Sequence, residues 1–388
     1  MLSIEVVDTL EKFKQLEPEW NEAVSRSRLN IPFMTYEWFY SWWQVYGRKN
    51  EMLVLVAREG GEIVGIAPLM RTRVTLLGFS FKAVTFMDNY HSERNGIIST
   101  RDHREVMECM FAYLKNSPYR YNILILHALE KDSPVDAGIR SALFSEGAHV
   151  IEIKDKQSPY IPISGEWTAY FKSRAKNVRS KVKRVCALAA PLGGIDIAEY
   201  SSCDDIAKAM AEVLSVSKRT WKYRNKTAIA NDKDHERFYR LLAESFSRNN
   251  WLRIWVLKIG GVPAAFQYNL EYNGIMYSLK IGFAEEFRHI SPSKLLASHI
   301  IKYCFDGKYK EFDLLGQNEP HKMDWTSACR EHCKYMYFND TFLGRMLYLL
   351  ETKVVRQVKS KFLKSFCLSV VAWVIAAPDV LASVVLPC

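Results

Sequence analysis

Two stretches of this sequence share one pattern and decide the fold. Residues 53–70 read LVLVAREGGEIVGIAPLM, and residues 252–270 read LRIWVLKIGGVPAAFQYNL. In each stretch two apolar, β-rich runs flank a Gly-Gly pair, and small residues follow in the second run. Glycine adopts positive φ without strain, so Gly-Gly between such runs predicts a tight β-hairpin. The sequence therefore predicts the same hairpin once in each half of the chain.

The elements that follow the two hairpins also occur in the same order. After the first come a strand near residues 83–87, a helix near 102–116 and a strand near 122–127. After the second come a strand over 275–282, a helix over 291–305 and a strand over 311–315. This order predicts a duplicated α/β (α+β) unit with mixed sheets flanked by helices. We place the two domains at residues 1–155 and 156–340, because Pro159 and Pro162 follow a charged stretch, and we assign 341–388 to a separate helical tail.

The positive charge of the chain is concentrated in one segment. Net charge is +10, and residues 172–184 hold seven Lys or Arg and no acidic residue. Such a segment favours anionic partners, among them a phosphorylated cofactor, a lipid surface or nucleic acid. Because no known nucleic-acid-binding motif accompanies it, we do not expect sequence-specific nucleic-acid binding.

The cysteines predict neither a disulfide framework nor a metal centre. The eight Cys are scattered and form no C-x-x-C pair. Cys329, His332 and Cys333 are close in sequence, but their spacing fits no zinc pattern, so no metal is expected. The first residues lack the basic and apolar regions of a secretory signal, and we expect a cytoplasmic protein.

The tail combines basic and apolar residues. Residues 341–364 carry six Lys or Arg among Leu, Met and Val, and Asp379 is the single charged residue between Phe366 and Cys388. A basic amphipathic helix followed by an apolar stretch predicts peripheral association with the inner face of the membrane. One alternative is a helix that packs on the domain and covers apolar surface. The apolar stretch is also near the length of a membrane span, although Pro378-Asp379 interrupts it, and the sequence leaves open whether the tail spans, lies on or avoids the membrane.

The order of several weak motifs resembles one known family. FMTYEWFYSWW (33–43), SPYIPI (158–163), SPSKLLASHII (291–301) and EFDLLGQNEPHKMDW (311–325) occur in order with the two hairpins. Together they resemble the CelD-type GNAT acetyltransferases, which are linked by name to bacterial cellulose and polysaccharide biosynthesis. These are similar in architecture to the Fem-type aminoacyl transferases. The resemblance implies a tandem, GNAT-like (acyl-CoA N-acyltransferase) fold with its active site in the second half.

The resemblance also implies where a donor would bind. In GNAT folds an acyl-CoA lies in an opening between two central strands, and its pyrophosphate lies at the start of the next helix, where free amides favour an anion. Ser291 is a good N-cap, and Pro292 fits the first helical position. The usual GNAT loop has spaced glycines where this chain has serines, which leaves acyl-CoA and aminoacyl-tRNA both open as donors. The candidate cofactor-binding residues are Ile281, Gly282, Arg288, His289, Ser291 and Ser293.

Acyl transfer by direct attack on a thioester needs a base, donors for an oxyanion and an acid. Either Glu319 or His321 is a candidate base, and Lys322 is a candidate contact for an anionic group. Strict alternation along 277–282 places Tyr277 on one face of its strand and Lys280 on the other. The full set of candidate catalytic residues is Tyr277, Lys280, Asp313, Glu319 and His321, and the candidate substrate-binding residues are Arg174, Lys181, Lys322 and Trp325.

Three functions remain open from the sequence. The first is acyl transfer from acyl-CoA, most simply acetyl-CoA, to an amine or hydroxyl of a saccharide, an amino acid or a cell-envelope precursor. The second is tRNA-dependent aminoacyl transfer to a cell-wall precursor. The third is a non-catalytic, GNAT-shaped scaffold in an envelope-synthesis complex. The sequence leaves the acceptor, the acyl chain length and the oligomeric state undetermined.

Overall fold

The computed structural model describes residues 2–76, 78–89, 92–101, 103–144 and 147–358. The described strands form one mixed sheet. The strands are β1 (Ser3–Val7), β2 (Glu51–Glu59), β3 (Glu62–Leu76), β4 (Phe79–Phe86), β5 (Ile98–Ser99), β6 (Ile123–Glu130), β7 (His149–Pro162), β8 (Ile195–Tyr200), β9 (Leu252–Ile259), β10 (Val262–Tyr272), β11 (Ile275–Phe283), β12 (Glu311–Asp313) and β13 (Cys329–Phe338). The α-helices are α1 (Leu10–Gln15), α2 (Glu17–Arg26), α3 (Tyr36–Tyr46), α4 (His103–Asn116), α5 (Pro134–Leu143), α6 (Trp167–Ser173), α7 (Lys176–Ala189), α8 (Ile206–Lys218), α9 (Trp221–Arg224), α10 (Lys233–Arg248), α11 (Pro292–Asp306), α12 (Pro320–Met323) and α13 (Phe342–Val358).

The two halves have the same strand topology, as the sequence predicts. In the first half β1 to β4 are antiparallel neighbours, and β6 then pairs in parallel with β4. In the second half β8 to β11 are antiparallel neighbours, and β12 pairs in parallel with β11. Gly60, Gly61, Gly260 and Gly261 all have positive φ at the two hairpin turns. The duplicated mixed α/β architecture is therefore confirmed.

Strands β7 and β13 join the two halves into a single sheet. The C-terminal end of β7 pairs with β12 of the second half, while the rest of β7 pairs with β13. β13 comes late in the chain, yet its other edge pairs with β6 of the first half. The boundary that we place between residues 155 and 156 thus falls inside β7.

The largest core is shared between the halves on one face of the sheet. Helix α3 begins where predicted, and the Thr35 hydroxyl caps it by accepting from the Trp38 amide. The Trp38 ring meets Phe238 of α10 edge-on, with centroids 5.5 Å apart. The same core contains residues of α1 to α3, α8 and α10. On the opposite face, α4 and α5 cover the first half and α7 and α11 cover the second.

Helix α13 packs beside β13 at a separate small core. Leu347 is buried there, and the Tyr348 ring contacts His149 and Phe338. Residues 359–388, which include the apolar run Phe366–Cys388, lie outside the described residues. Among the helices that are described, none is long and apolar enough to cross a membrane.

Candidate functional site

The sheet of the second half opens between β11 and β12. The two strands pair only at Ile275–Tyr277 with Glu311–Asp313. Beyond that point β12 ends, whereas β11 continues to Phe283, paired with β10 alone among the described strands. A gap therefore lies along the edge of β11 from Ser278 onward.

A β-bulge lies in β11 beside this gap. Tyr268 of β10 pairs with Lys280, but Asn269 pairs with Ser278, so Leu279 is an extra residue. An extra residue reverses the alternation of side chains along the strand. The predicted alternation is therefore wrong here: Lys280 shares a face with Tyr277, and its Nζ lies 5.9 Å from the ring centroid of Tyr239 in α10.

Helix α11 follows the opening, as the sequence predicts, but its cap differs. Ser291 precedes the first turn with φ of 63°, and its side chain makes no capping hydrogen bond. The expected hydroxyl cap is thus wrong, since a left-handed residue does not aim its hydroxyl at the helix amides; glycine would adopt this φ with less strain. Pro292 occupies the first turn as predicted. Arg288 and His289 are exposed, and no described carboxylate lies within ion-pair distance of Arg288.

Two of the candidate catalytic residues are held inside the protein. Asp313 is 2% exposed, and its carboxylate lies 2.7 Å from Arg94 Nη2 and 3.7 Å from Arg330 Nη1. It also accepts a hydrogen bond from the Leu315 amide. Tyr277 packs edge-on against Phe33, and burial raises the pKa of its phenol. In this structure Asp313 anchors a first-half loop to β12, and Tyr277 belongs to the shared core.

Glu319, His321 and Lys322 lie together after β12, where Glu319 precedes the short helix α12 and the other two belong to it. Lys322 Nζ is 2.8 Å from the Glu319 carboxylate and also donates to the carbonyl of Leu315 at 3.0 Å. His321 Nε2 is 3.9 Å from the same carboxylate. The His321 side chain is 52% exposed, and the partial desolvation of its ring lowers its pKa; the Glu319 carboxylate opposes this shift, and the charge of Lys322 adds to it. A neutral imidazole at this position can accept a proton.

Of the remaining substrate-binding candidates, Trp325 adjoins this segment, since its amide donates to the Lys322 carbonyl at 3.0 Å. Trp325 is buried under the second-half helices, and its carbonyl accepts from Tyr170 and from Arg174. The Arg174 guanidinium also stacks over the Tyr170 ring at 4.7 Å. Lys181 is exposed on α7, in the layer over the opposite face of the sheet from Lys280.

Three residues at the opening were not among the candidates from the sequence: Glu93, Lys156 and Lys222. Glu93 belongs to the first-half loop after β4, and its carboxylate lies 2.5 Å from Lys156 of β7 and accepts from the Gly316 amide at 3.2 Å. Lys222 of α9 donates to the carbonyl of Ile281 at 3.3 Å. No local pattern marks these residues, because their partners are remote in the chain. The described residues contain no group of three or more His, Cys, Asp or Glu that could hold a metal ion.

One family model matches a large part of the second half. Residues 172–323 match a family profile described as an acetyltransferase (GNAT) domain, and this range includes β11, β12 and the loop with His321. A comparison with curated protein sequences gave no significant match.

Three solved structures share the fold. The crystal structure of FemX is 12% identical, with a TM-score of 0.55 over 89% of this chain and 99% of that one. A conserved protein of unknown function from Bacteroides thetaiotaomicron is 10% identical, with a TM-score of 0.52 over 87% and 100% of the two chains. The C-terminal domain of a putative lysylphosphatidylglycerol synthetase from Agrobacterium fabrum is 10% identical, with a TM-score of 0.51 over 86% and 96%. The chain thus has a tandem GNAT-like fold, and its second half carries an acetyltransferase (GNAT) domain.

Proposed function

We propose that the protein is an acyltransferase that moves an acyl group, most simply acetyl, from acyl-CoA to an amine or hydroxyl. The observation that carries the proposal is the opening between β11 and β12, which pair at three positions only and then separate. An extended pantetheine chain can enter a gap of this kind only where no strand ladder closes it. The acetyltransferase profile spans the same strands.

The residues around the opening fit a diphosphate-bearing donor. Helix α11 has 15 residues and starts directly after the opening, so its first amides and partial positive charge favour an anion. Arg288 is exposed one turn before that helix, and none of the carboxylates in the described part of the chain forms an ion pair with it. We assign Arg288 and the α11 amides to the diphosphate, and the edge of β11 at Ile281 to the arm that carries the thioester.

His321 is the base that the geometry favours. Its lowered pKa keeps the imidazole neutral at pH 7, and the Glu319 carboxylate nearby stabilises the imidazolium that forms. The acceptor nitrogen or oxygen attacks the thioester carbon and gives its proton to His321. The carbon–sulfur bond breaks, and the CoA thiolate takes up a proton from solvent.

Acetyl-CoA binding tests the donor site directly. A ligand that binds only the folded state at a hundredfold excess over its dissociation constant stabilises it by about 2.7 kcal/mol, which thermal unfolding detects. Arg288→Ala should weaken acetyl-CoA binding roughly tenfold or more, because a charge-assisted phosphate contact is lost. Arg120→Ala, which removes an exposed arginine of the first half, is the matched control. Equal affinity in the wild type and Arg288→Ala would contradict the assignment.

A second donor class has one observation in its favour. FemX and the lysylphosphatidylglycerol synthetase domain share the fold over most of this chain, and Fem-type enzymes transfer aminoacyl groups. An aminoacyl-tRNA donor predicts that RNA copurifies with the protein and that ribonuclease abolishes activity. Acyl-CoA turnover that is insensitive to ribonuclease would exclude it. If neither donor is turned over, the protein is a non-catalytic scaffold with this fold.

The resemblance to CelD-type proteins supports a finer proposal about the acceptor. We assign it to the precursors of a bacterial polysaccharide or of the cell envelope. Acetyl incorporation into saccharide precursors, measured with labelled acetyl-CoA, tests this assignment.

A further inference from the structure

Four lysines from four different elements surround the opening. Lys156 comes from β7, Lys222 from α9, Lys280 from β11 and Lys322 from α12. The charges of the other three all act on Lys280. Two carboxylates, Glu93 and Glu319, lie among them. The cluster therefore carries an excess of positive charge.

Two of the four lysines form ion pairs, and the other two form none with the described residues. Lys156 pairs with Glu93 at 2.5 Å, and Lys322 pairs with Glu319 at 2.8 Å. For Lys222 and Lys280, no carboxylate of the described chain lies within ion-pair distance. Among the residues that the structure describes, Lys222 donates to the Ile281 carbonyl, and Lys280 lies 5.9 Å from the centre of the Tyr239 ring.

Keeping Lys280 in this place costs stability. Burial lowers its pKa from the ordinary value of 10.5 to about 8, and the three neighbouring lysines add to the effect while Glu93 opposes it. Burial likewise lowers the pKa of Lys222. Both side chains are partly buried rather than enclosed, and even partial desolvation of a charge without a partner is unfavourable. An anion that joins both ammonium groups would supply the missing partner.

Among the four lysines, Lys222 reaches the Ile281 edge that we assign to the thioester arm, and Lys280 lies away from the helix start that we assign to the diphosphate. Lys280 lies on the face of the sheet covered by α10 and approached by the first-half loop with Glu93. Helix α11, whose start we assign to the donor, covers the opposite face. The acceptor must approach the carbonyl carbon of the thioester from a direction that the donor does not occupy. The face of the sheet that carries Lys280 is therefore the acceptor side.

We infer that Lys222 and Lys280 bind an oxyanion of the acceptor, so that the natural acceptor carries a phosphate or carboxylate near its reactive amine or hydroxyl. The inference rests on the proposed function, since it names the substrate class of the same site. Glu93 and Glu319 then limit the net charge and position Lys156 and Lys322 around the bound group.

Binding of inorganic pyrophosphate to the protein saturated with CoA tests this inference. Calorimetry should show binding to the wild type that weakens tenfold or more in Lys280→Met and in Lys222→Met. Lys115→Met, which removes an exposed lysine of α4 in the first half, is the matched control and should bind as the wild type does. Glu93→Gln keeps an acceptor for the Gly316 amide but removes an opposing charge, so it should bind pyrophosphate more tightly. Glutarate in place of pyrophosphate distinguishes a carboxylate site from a phosphate site.

Other outcomes overturn the inference in distinguishable ways. If neither anion binds the CoA-saturated wild type, or if both lysine variants bind as tightly as the wild type, the oxyanion site is wrong. If pyrophosphate competes with CoA and is lost in Arg288→Ala but not in Lys280→Met, it occupies the donor site and the acceptor assignment fails. If acetyl-CoA does not bind while pyrophosphate binding depends on Lys280, the acyltransferase proposal fails and the oxyanion site stands.

Discussion

Replacing Lys280 with methionine should make the protein more stable. Methionine retains the length and the apolar stem of lysine but removes the charge that burial disfavours. The pKa of Lys280 is lowered from 10.5 to about 8. At about 1.4 kcal/mol for each pH unit, this difference corresponds to a cost of about 3 kcal/mol at pH 7. Lys280→Met should recover most of that cost.

The stability gain should depend on pH in a defined direction. Between pH 8 and 10.5 the unfolded chain holds a proton on Lys280 that the folded protein has released. Wild-type stability therefore rises with pH across this window, relative to a variant without the lysine. The advantage of Lys280→Met is complete below pH 8 and is lost as the pH approaches 10.5.

Urea unfolding at several pH values measures this dependence. The buffer must be free of phosphate, because a bound anion would stabilise the wild type through the same lysines. Lys183→Met is the control for the loss of an exposed positive charge, and its stability should follow that of the wild type. A Lys280→Met protein that is less stable than the wild type at pH 7, or whose gain is the same at pH 7 and pH 10.5, would refute the reasoning.

Three other changes test separate parts of the structure. Arg94→Met leaves the buried Asp313 carboxylate without its nearest partner, so it should lower the free energy of unfolding by about 3 to 5 kcal/mol; a loss below about 1 kcal/mol in urea titration would show that Arg330 suffices. His321→Gln should lower kcat roughly a hundredfold or more with unchanged acetyl-CoA affinity, and wild-type turnover in steady-state assays would remove it as the base. If the C-terminal segment mediates membrane association, deleting residues 359–388 should move the protein from the membrane to the soluble fraction; the deletion leaves α13 in place, so a loss of thermal stability would indicate instead that the segment packs on the domain.

The architecture was predictable because its signals are local. Each hairpin depends on a Gly-Gly turn between two apolar runs, and Thr35 marks the start of α3 within one turn. The return of β13 to the first half has no such signal. Its pairing with β6 joins residues about two hundred positions apart, and alternation in sequence does not encode which strand lies beside which.

The site was predictable only in part for the same reason. The loop with Glu319 and His321 follows a strand end, where sequence reasoning looks for functional residues. Glu93 and Arg94 reach this region from the other half, and nothing near them in sequence indicates Lys156 or Asp313 as partners. The bulge at Leu279 shows the same limit, because a single extra residue moved Lys280 to the face opposite the one that alternation gives.

The late position of β13 in the chain has a consequence for biosynthesis. Until residue 338 has left the ribosome, the edges of β6 and β7 that β13 joins remain unpaired, so the first half cannot complete its sheet during translation. Completion of the first-half sheet consequently waits for a strand that follows the second half, and we expect a fragment that ends at residue 155 to lack both β13 and most of β7.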